Sequence, residues 1–356
     1  MITSVRIKNL RGIHAGALER LTPLVVLVGP NSAGKSTILD ALLIGAGQRP
    51  ASSAGYAVRR RAGLRHGARW LLWRGAQQGH AEITVQTAAG RAYGRTIVWS
   101  EEALGEPMRR QLSEKGADPP FSTIEVRAKA DSSLISWDFR PAQQEPTSWD
   151  AASGVAVVAA DNTYVAADTR DERSTLDVWM VDPRLGHPLS ELYSRIAERG
   201  RRQAVRDLVA AIVPGLDVIE ILTEHNDPRL HLTFPDGSVP VALAGDGVQA
   251  LVRLSLELAS RPGGTVLLEE PEAHQHPAAI WASAQAIVEG VRRGLQIILS
   301  THSLELLDAL LNALRDEDLG LLSLYRLKLA AGDLRHSRLD GAEVRLSRDA
   351  IGDDLR

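Results

Sequence analysis

The 356-residue sequence contains no cysteine, and this absence is the first constraint on its chemistry. It excludes disulfide bonds, thiolate metal ligands and a cysteine nucleophile. The sequence also lacks any apolar run of the roughly 18 to 20 residues that a membrane-spanning helix needs. No apolar segment follows a basic start at the N-terminus, so we expect a cytoplasmic protein without a signal peptide or a membrane partner.

Neither sign of charge dominates the chain, whose formal net charge is -3. That value gives no overall attraction to nucleic acid or membrane, so any such site must be a local patch. Lysine is scarce and occurs only at positions 8, 35, 115, 129 and 328. Internal repeats, low-complexity tracts and sustained heptads are absent from the sequence, which argues against a long coiled-coil arm.

A glycine-rich loop at residues 29–37 carries the clearest chemical signal. Its sequence, Gly-Pro-Asn-Ser-Ala-Gly-Lys-Ser-Thr, matches G-x-x-x-x-G-K-[ST] in full, between an apolar segment and a segment of helical periodicity. Glycine lets backbone N–H groups turn toward a phosphate, and the start of the following helix adds partial positive charge. We expect Lys35 to reach the β- and γ-phosphates of ATP and the Ser36 hydroxyl to ligate Mg²⁺. The other cofactor-binding residues predicted in this loop are Asn31, Ser32, Ala33, Gly34 and Thr37.

Two further apolar segments end in polar side chains. Residues 265–268 are Thr-Val-Leu-Leu and lead directly into Glu269 and Glu270. A buried parallel strand would carry both carboxylates to its carboxyl edge, where ligands of such sheets bind. We expect Glu269 to hold Mg²⁺ through water and Glu270 to orient or deprotonate the attacking water. The second segment, 296–300, ends beside His302, which we expect to donate to the γ-phosphate and to sense its loss.

The hydrophobic pattern of the whole chain predicts strands alternating with helices. Strands are expected at 4–8, 24–28, 82–87, 95–99, 123–129, 134–139, 155–159, 265–268 and 296–300, and helices at 37–45, 189–213, 246–260, 278–293 and 304–314. The stretch between the first two strands is expected to be turn-rich, and Pro50 with the small residues 51–55 is expected to end the first helix. Two final strands and a short helix are expected in 320–356.

Taken in order, these motifs resemble the ABC-type ATPase domain of the OLD (overcoming lysogenisation defect) family, whose wider relatives are RecF-like and chromosome-maintenance ATPases. The likeness is carried by the loop 29–37, by Glu-Glu-Pro-Glu-Ala-His-Gln-His-Pro at 269–277 and by Ser-Thr-His-Ser at 300–303. It covers residues 1–50 and 240–310, whereas 51–240 match no family pattern.

The resemblance implies an α/β fold of the P-loop NTPase class. It is expected to be an ABC-ATPase-like head with a mixed central sheet flanked by helices, a β-rich insertion and a helical lobe. The N-terminal part of the ATPase lobe, with the insertion, would occupy 1–180 and the helical lobe 181–262. The C-terminal part of the ATPase lobe would occupy 263–356.

The same resemblance implies a signature loop at a helix start before the paired glutamates. Here it is 243–249, Leu-Ala-Gly-Asp-Gly-Val-Gln, in which Gly245, Asp246 and Gly247 are expected to close over a nucleotide bound by another subunit. Ala244 stands where the family has serine, so one phosphate hydrogen bond is missing and turnover is affected more than binding. The implied assembly is a head-to-tail homodimer that closes on ATP and reopens on hydrolysis.

Other polar clusters have a plainer interpretation. Glu272, His274 and His276 have the composition of a metal site, but the resemblance places them in the D-loop of the dimer interface. The acidic run at 316–318 has the composition of a nuclease centre, yet it directly follows a predicted helix. The Q-loop glutamine has four candidates, which are Gln77, Gln78, Gln143 and Gln144.

Many OLD relatives continue into a Toprim nuclease domain, which needs roughly a hundred further residues. About fifty residues follow Ser303, so we expect an ATPase without its own nuclease that acts with a separately encoded nuclease or toxin. This expectation and the unmatched middle segment favour an ATP-driven sensor or scaffold subunit of a prokaryotic anti-phage system.

Two other functions remain open. The most basic stretch, from Arg59 to Arg74, interleaves arginines with Trp70 and Trp73. This composition suits a phosphate backbone or stacked bases, and it would fit a RecF-like DNA-repair or chromosome-maintenance ATPase that clamps DNA. A solvated or partner-binding loop beside two core tryptophans explains the stretch as well. The substitution at Ala244 leaves room for a nucleotide-switched scaffold with little hydrolysis.

Overall fold

The computed structural model describes residues 1–61, 68–75, 79–100, 106–114, 121–129, 153–158, 163–168, 170, 176–182 and 186–355. Its strands are β1 (Ile2–Leu10), β2 (Ile13–Glu19), β3 (Leu24–Val28), β4 (His80–Thr87), β5 (Ala92–Ser100), β6 (Ser122–Lys129), β7 (Ser153–Val158), β8 (Thr163–Asp168), β9 (Val178–Val181), β10 (Val218–Glu224), β11 (Asp227–Phe234), β12 (Gly237–Pro240), β13 (Gly264–Glu269), β14 (Leu295–Ser300), β15 (Leu322–Ala330) and β16 (Asp333–Asp340). Its helices are α1 (Lys35–Ala46), α2 (Pro50–Arg59), α3 (Glu106–Glu114), α4 (Leu189–Glu198), α5 (Arg202–Ala210), α6 (Asp246–Ala259), α7 (Pro277–Arg292), α8 (Leu304–Ala313) and α9 (Gly341–Leu346).

The chain divides into two units, each assembled from early and late segments. The first unit comprises Met1–Leu21, Asn31–Trp179 and Leu327–His336. The second comprises Thr22–Pro30, Met180–Arg326 and Ser337–Arg356. The boundary between the two units therefore falls within the sequence of the glycine-rich loop. Gly29 and Pro30 belong to the second unit, and the residues from Asn31 onward belong to the first.

The first unit is built on antiparallel strands with helices on one face. β1 pairs with β2 and with β4, and the ladder continues from β4 through β5, β6 and β7 to β8. Ile7 is buried whereas Lys8 is exposed, the alternation of a strand with one covered face. The covering helix is α1, in which Gly45 lies so close to Ile83 and Val85 that an added Cβ would overlap their methyl groups.

The second unit is built on parallel strands. β3 lies between β14 and β15, and β13 pairs with the other edge of β14. All five residues of β3 are buried, as expected of a strand that is covered on both faces. The register places Leu27 beside Ser300 and Ser300 beside Glu269, so three strands end together at one edge of the sheet.

A helical lobe with its own apolar core also belongs to the second unit. Helices α4, α5 and α6 enclose this core together with the antiparallel strands β10, β11 and β12. Its fully buried members include Leu192, Ile196, Val209, Leu251 and Leu256. The signature loop enters α6 from this lobe.

The mixed α/β architecture predicted from the sequence is confirmed, and most of the predicted strands and helices are present. The β-rich insertion is present as strands β4 to β8, while the strand predicted at 134–139 lies outside the described residues. The two final strands and the short helix of the tail are β15, β16 and α9. Among the described helices, none is both long and apolar enough to cross a membrane.

Two local predictions are wrong, and two further elements, α2 and the sheet β10–β12, were not predicted. Residues 13–19 form strand β2 instead of turns, and 189–213 form two helices that separate at Gly200, whose φ is 66°. The small-residue run after Pro50 ends α1 but then forms α2, because its alanines are buried. The three-stranded sheet β10–β12 was not predicted at all. Its strands alternate weakly, because the apolar Val218 and Val239 are exposed whereas the polar His231 is buried.

Candidate functional site

The loop between β3 and α1 has a backbone suited to binding an anion. Ser32 has a φ of 65° and Gly34 has a φ of 94°, so both lie in the left-handed region. Helix α1 begins at Lys35, and the N–H of Ile38 donates to the Gly34 carbonyl at 3.0 Å. The N–H groups before Ile38 in the first turn have no acceptor within the helix. They form the positive end of the helix dipole, which is directed at the loop.

The side chains of this loop differ in their exposure to solvent. Asn31 and Ser32 are exposed, Ser36 is half-buried, and Lys35 is only 6% exposed. Ala33 and Thr37 are buried as well. At Gly34 a Cβ would approach Ile13 Cδ1 to 3.2 Å in a backbone conformation that already disfavours side chains. Glycine is therefore required at this position by both its φ and its packing.

A buried carboxylate on α1 fixes this helix to its surroundings. Asp40 is fully buried and accepts hydrogen bonds from Arg11, from Arg60 (Nη2 at 2.8 Å and Nε at 3.0 Å) and from Arg61 (Nε at 3.3 Å). Burial lowers the pKa of the Arg11 guanidinium, while the Asp40 carboxylate opposes that shift. This cluster joins the first turn of the chain, the end of α2 and the helix that follows the loop. No sequence pattern indicates this cluster, because its members are far apart in the chain.

In the second unit, the carboxyl edge of the parallel strands gathers the other predicted catalytic residues. Glu269 ends β13 and is half-buried, and Glu270 follows it on the surface. The N–H of Glu270 donates to the Ser300 carbonyl at 3.0 Å, which extends the strand pairing by one residue. The start of the glycine-rich loop, Gly29 and Pro30, follows β3 at the same edge, because Leu27 is paired with Ser300.

Glu270 and His302 lie side by side at this edge. The His302 Nε2 atom is 3.5 Å from Glu270 Oε1. Glu270 has a φ of 45°, a backbone conformation that costs a residue with a side chain on the order of 1–3 kcal/mol. Such backbone strain is most common at functional sites, which agrees with the role predicted for Glu270.

Glu272 makes contacts that were not predicted from the sequence. Its Oε1 atom accepts hydrogen bonds from the Thr301 hydroxyl and from the His302 N–H, the latter at 3.2 Å. Its Oε2 atom is buried and has no hydrogen-bond partner among the described residues. Burial raises the pKa of Glu272, although the bonds from Thr301 and His302 act in the opposite direction.

The signature loop lies at the start of α6, as predicted. Gly245 precedes the helix, and Gly245 and Asp246 are exposed. The Gln249 side chain folds back to donate to the Ala244 carbonyl at 2.7 Å, which stabilises the loop. Gly247 lies against the backbone of residues 274–276, with the His274 carbonyl 3.5 Å from where its Cβ would be. The loop and the segment that follows Glu270 are thus in contact.

The described parts of the basic stretch are 59–61, whose Arg60 and Arg61 bind Asp40, and 68–74, in which arginines lie over the tryptophan rings. The Arg69 guanidinium is 5.3 Å from the ring centroid of Trp70, and that of Arg74 is 4.8 Å from Trp73. Trp70 is 49% exposed, whereas Trp73 is half-buried and packs on His14 at 5.5 Å. One ring of the pair is therefore available to an external ligand.

The remaining clusters have structural roles or lie outside the described residues. Asp316 and Asp318 form ion pairs with Arg345 and Arg292, respectively, just after α8. Within the described ranges, no three His, Cys, Asp or Glu side chains are grouped as metal ligands would be. All four candidates for the Q-loop glutamine lie outside the described residues, and these are Gln77, Gln78, Gln143 and Gln144.

The residues present fit a nucleotide with a hydrated divalent cation. A left-handed loop at a helix N-terminus, with a nearly buried lysine, suits a phosphate group. A half-buried carboxylate at a strand end, Glu269, suits a cation that keeps part of its water shell, as Mg²⁺ does. These features define a P-loop NTPase of the ATPase-head type, and the comparisons with known proteins agree with that class.

Two family models match separate parts of the sequence. The model described as "AAA domain, putative AbiEii toxin, Type IV TA system" matches residues 160–308, and a second model described as "AAA domain" matches residues 4–136. A curated relative, "Uncharacterized protein MJECL11" of Methanocaldococcus jannaschii, is 29% identical over 113 residues. That alignment covers 32% of this chain and 98% of the relative.

Solved structures of Smc heads share the fold. The Smc head bound to the C-terminal winged-helix domain of ScpA has a TM-score of 0.51 at 12% identity, with 95% of this chain and 98% of that chain covered. The Smc head with an extended coiled coil, bound to the C-terminal domain of ScpA and derived from Pyrococcus furiosus, has a TM-score of 0.50 at 11% identity, with 99% of each chain covered. The chain therefore has the fold of an Smc-like ATPase head.

Proposed function

We propose that this protein binds ATP with Mg²⁺ and hydrolyses it to ADP and phosphate. The observation that carries this proposal is the pairing of Glu270 with His302 at the carboxyl edge of the parallel strands, on a backbone that is strained at Glu270. The loop 29–37 starts from that edge and supplies the phosphate-binding backbone. The AAA-domain matches at residues 4–136 and 160–308 support the same activity.

Each residue has one role in the proposed reaction. The N–H groups of 31–37 and the Lys35 ammonium hold the phosphates, and the Ser36 hydroxyl with Glu269 holds the cation and its water. Bound Mg²⁺ supplies neutralising charge for the phosphate oxygens. Glu270 orients a water molecule toward the γ-phosphorus and accepts its proton, and His302 donates a hydrogen bond to the γ-phosphate.

Phosphate release by the purified protein tests this activity directly. We expect turnover with Mg²⁺ and ATP, and its loss when EDTA removes the cation. A His302→Ala variant should reduce turnover with little change in ATP affinity. A wild-type protein that binds ATP but releases no phosphate would instead support a nucleotide-switched scaffold.

We further propose that the active form is a head-to-tail dimer in which Gly245, Asp246 and Gly247 of one copy contact the nucleotide of the other. Leu243, just before these residues, is 76% exposed, so the loop presents an apolar side chain to solvent. Ala244 is half-buried against the core of the helical lobe and offers no hydroxyl to a phosphate. Light scattering of a hydrolysis-deficient variant, with and without ATP, tests whether dimerisation requires the nucleotide.

As the biological role, we propose the ATP-driven sensor or scaffold subunit of a prokaryotic anti-phage system with a separate effector. The description of the match at residues 160–308, which names a toxin and a toxin–antitoxin system, supports this context. Affinity purification of the Glu270→Gln variant with ATP from its native host tests it. A stoichiometric nuclease or toxin encoded beside the gene is the expected result, and abundant DNA without such a protein contradicts it.

A chromosome-maintenance or DNA-repair ATPase is the second candidate, and the exposed Trp70 with its arginine neighbour favours it. Smc heads in solved structures bind domains of ScpA, so a partner protein is compatible with this role. Binding of a labelled single-stranded oligonucleotide at two salt concentrations is the discriminating measurement. A loss of affinity of about tenfold in Trp70→Ala, but not in the exposed control Arg315→Ala, would support this candidate.

A further inference from the structure

The segment after Glu270 is held in place by several hydrogen bonds. The Ala273 N–H donates to the Glu270 carbonyl and the Gln275 N–H to the Glu272 carbonyl, each at 3.0 Å. The Gln275 side chain donates to the Pro271 carbonyl and accepts from Ser283 of α7, both at 2.8 Å. Residues 271–277, here called the post-catalytic segment, are therefore fixed to α7.

Glu272 is the residue of this segment that reaches the loop of His302. Its Oε1 atom accepts both the Thr301 hydroxyl and the His302 N–H. The Thr301 hydroxyl oxygen in turn accepts the Ser303 N–H at 2.9 Å. One carboxylate oxygen thus determines the path of the peptide that carries His302.

The contacts continue from this loop into α8. The Ser303 hydroxyl caps that helix by accepting the Leu306 N–H at 3.1 Å. On the other side, the post-catalytic segment contacts Gly247 of the signature loop. The post-catalytic segment therefore contacts the loop of His302 through Glu272 and the signature loop through residues 274–276.

Removal of the carboxylate would leave a partly buried peptide N–H and the hydroxyl of the buried Thr301 without their acceptor. A buried donor without a partner is costly, so the loop would move to find another acceptor or water. His302 would move with it, away from its position 3.5 Å from Glu270.

We propose that Glu272 is a positioning residue that holds His302 beside Glu270. This role rests on the proposed ATPase function, since His302 acts there on the γ-phosphate. Glu272 itself touches neither the phosphates nor the water in the proposed reaction. Its effect is exerted through the Thr301–His302 peptide.

The kinetic test compares Glu272→Ala, His302→Ala and the double variant with Glu305→Ala, an exposed glutamate in the first turn of α8. Glu272→Ala should lower kcat by about 10- to 100-fold, as expected when a reacting group is misplaced, while the Kd for a non-hydrolysable ATP analogue stays nearly constant. The double variant should be no slower than His302→Ala, because both changes remove the same interaction. Glu305→Ala should behave as wild type. Multiplicative losses in the double variant, or an unchanged kcat in Glu272→Ala, would overturn the proposal.

The conservative variant keeps the proposal testable if Glu272→Ala fails to fold. Glu272→Gln retains an oxygen that can accept both hydrogen bonds, so its kcat should stay within roughly threefold of wild type. A loss in Glu272→Gln as large as that of His302→Ala would show that the charge, not the position of His302, matters.

A spectroscopic measurement separates this role from the ATPase function. In histidine-labelled protein, the ring resonance of His302 is assigned by its loss in His302→Ala. Glu272→Ala should change the chemical shift of that resonance, whereas Glu305→Ala should not. An unchanged His302 resonance overturns the positioning role even if the wild-type protein shows no turnover. A shifted resonance in a protein without turnover supports the positioning role while the proposed function fails.

Discussion

The Nε2 atom of His302 lies 3.5 Å from the Oε1 atom of Glu270, although the two residues follow different strands. The parallel pairing of β13 with β14 brings them together, because Glu269 and Ser300 are register partners at the ends of these strands. Both side chains are partly exposed, at 35% and 46%, so a water molecule and a phosphate have access to the pair.

Glu270→Gln should retain ATP and lose hydrolysis. The amide cannot accept the proton of the attacking water, whereas the phosphate-binding loop is unchanged, so kcat should fall by about 10²- to 10⁴-fold. Phosphate release and the nucleotide content of the purified protein are the measurements. Glu305→Gln is the matched control, and hydrolysis by Glu270→Gln at the wild-type rate would show that the base has been misassigned.

Lys35→Ala should abolish nucleotide binding. The lysine is nearly buried at the helix start, and its ammonium is the positively charged side-chain group of the phosphate loop. Titration calorimetry with a non-hydrolysable ATP analogue measures the effect. Lys328→Ala, which removes an exposed lysine of β15, should bind as wild type. Equal affinity in the two variants would contradict the phosphate-binding role of the loop.

Asp40→Asn should destabilise the protein by about 3–5 kcal/mol, because Arg11, Arg60 and Arg61 would lose the buried carboxylate that all three bind. Urea unfolding followed by circular dichroism measures this free energy. The control is Asp349→Asn, an exposed position near the C-terminus. A destabilisation below about 1 kcal/mol would mean that the arginines find other acceptors or water.

The stability of Glu272→Gln relative to wild type should rise with pH. Burial raises the pKa of Glu272 in the folded state, so the folded protein binds this proton more tightly than the unfolded chain does. The contribution of Glu272 to the free energy of unfolding is therefore fully present at low pH. This contribution is lost as the pH rises from about 4, near the pKa of the Glu272 carboxyl in the unfolded chain, to above the pKa of the same carboxyl in the folded protein.

The measurement is the difference in Tm between Glu272→Gln and wild type from pH 4 to pH 7. Glutamine does not titrate, so this difference should become more positive over the range. Glu305→Gln, at an exposed position, is the matched control. A Glu272→Gln difference that falls with pH would indicate that the hydrogen bonds to the carboxylate outweigh its burial.

The sequence predicted the parts of the site that local chemistry determines. The glycine-rich loop was predicted because its pattern is long and lies between a buried strand and a helix. Glu269 and Glu270 were predicted because they follow an unbroken apolar run, which is typical of a strand that is buried on both faces. The roles assigned to these residues stay predictions.

Elements that depend on tertiary burial were not predictable in the same way. The helix Pro50–Arg59 has a proline at its first turn and small residues throughout, a composition that also suits a loop. It forms a helix because Ala54, Ala57 and Val58 are buried against the first unit. The hydrogen bonds of Glu272 and the arginines around Asp40 join distant parts of the chain, and neither leaves a pattern in a single sequence.

The left-handed backbone at Glu270 implies a trade-off between the thermal stability of the protein and its activity. Glycine would relieve the backbone cost, so Glu270→Gly should give a protein that resists heat better than the wild type. That protein would also have lost the carboxylate that the proposed reaction requires. Selection for stability alone would therefore replace Glu270. Its presence in a strained conformation is explained by selection for the carboxylate that the proposed reaction requires.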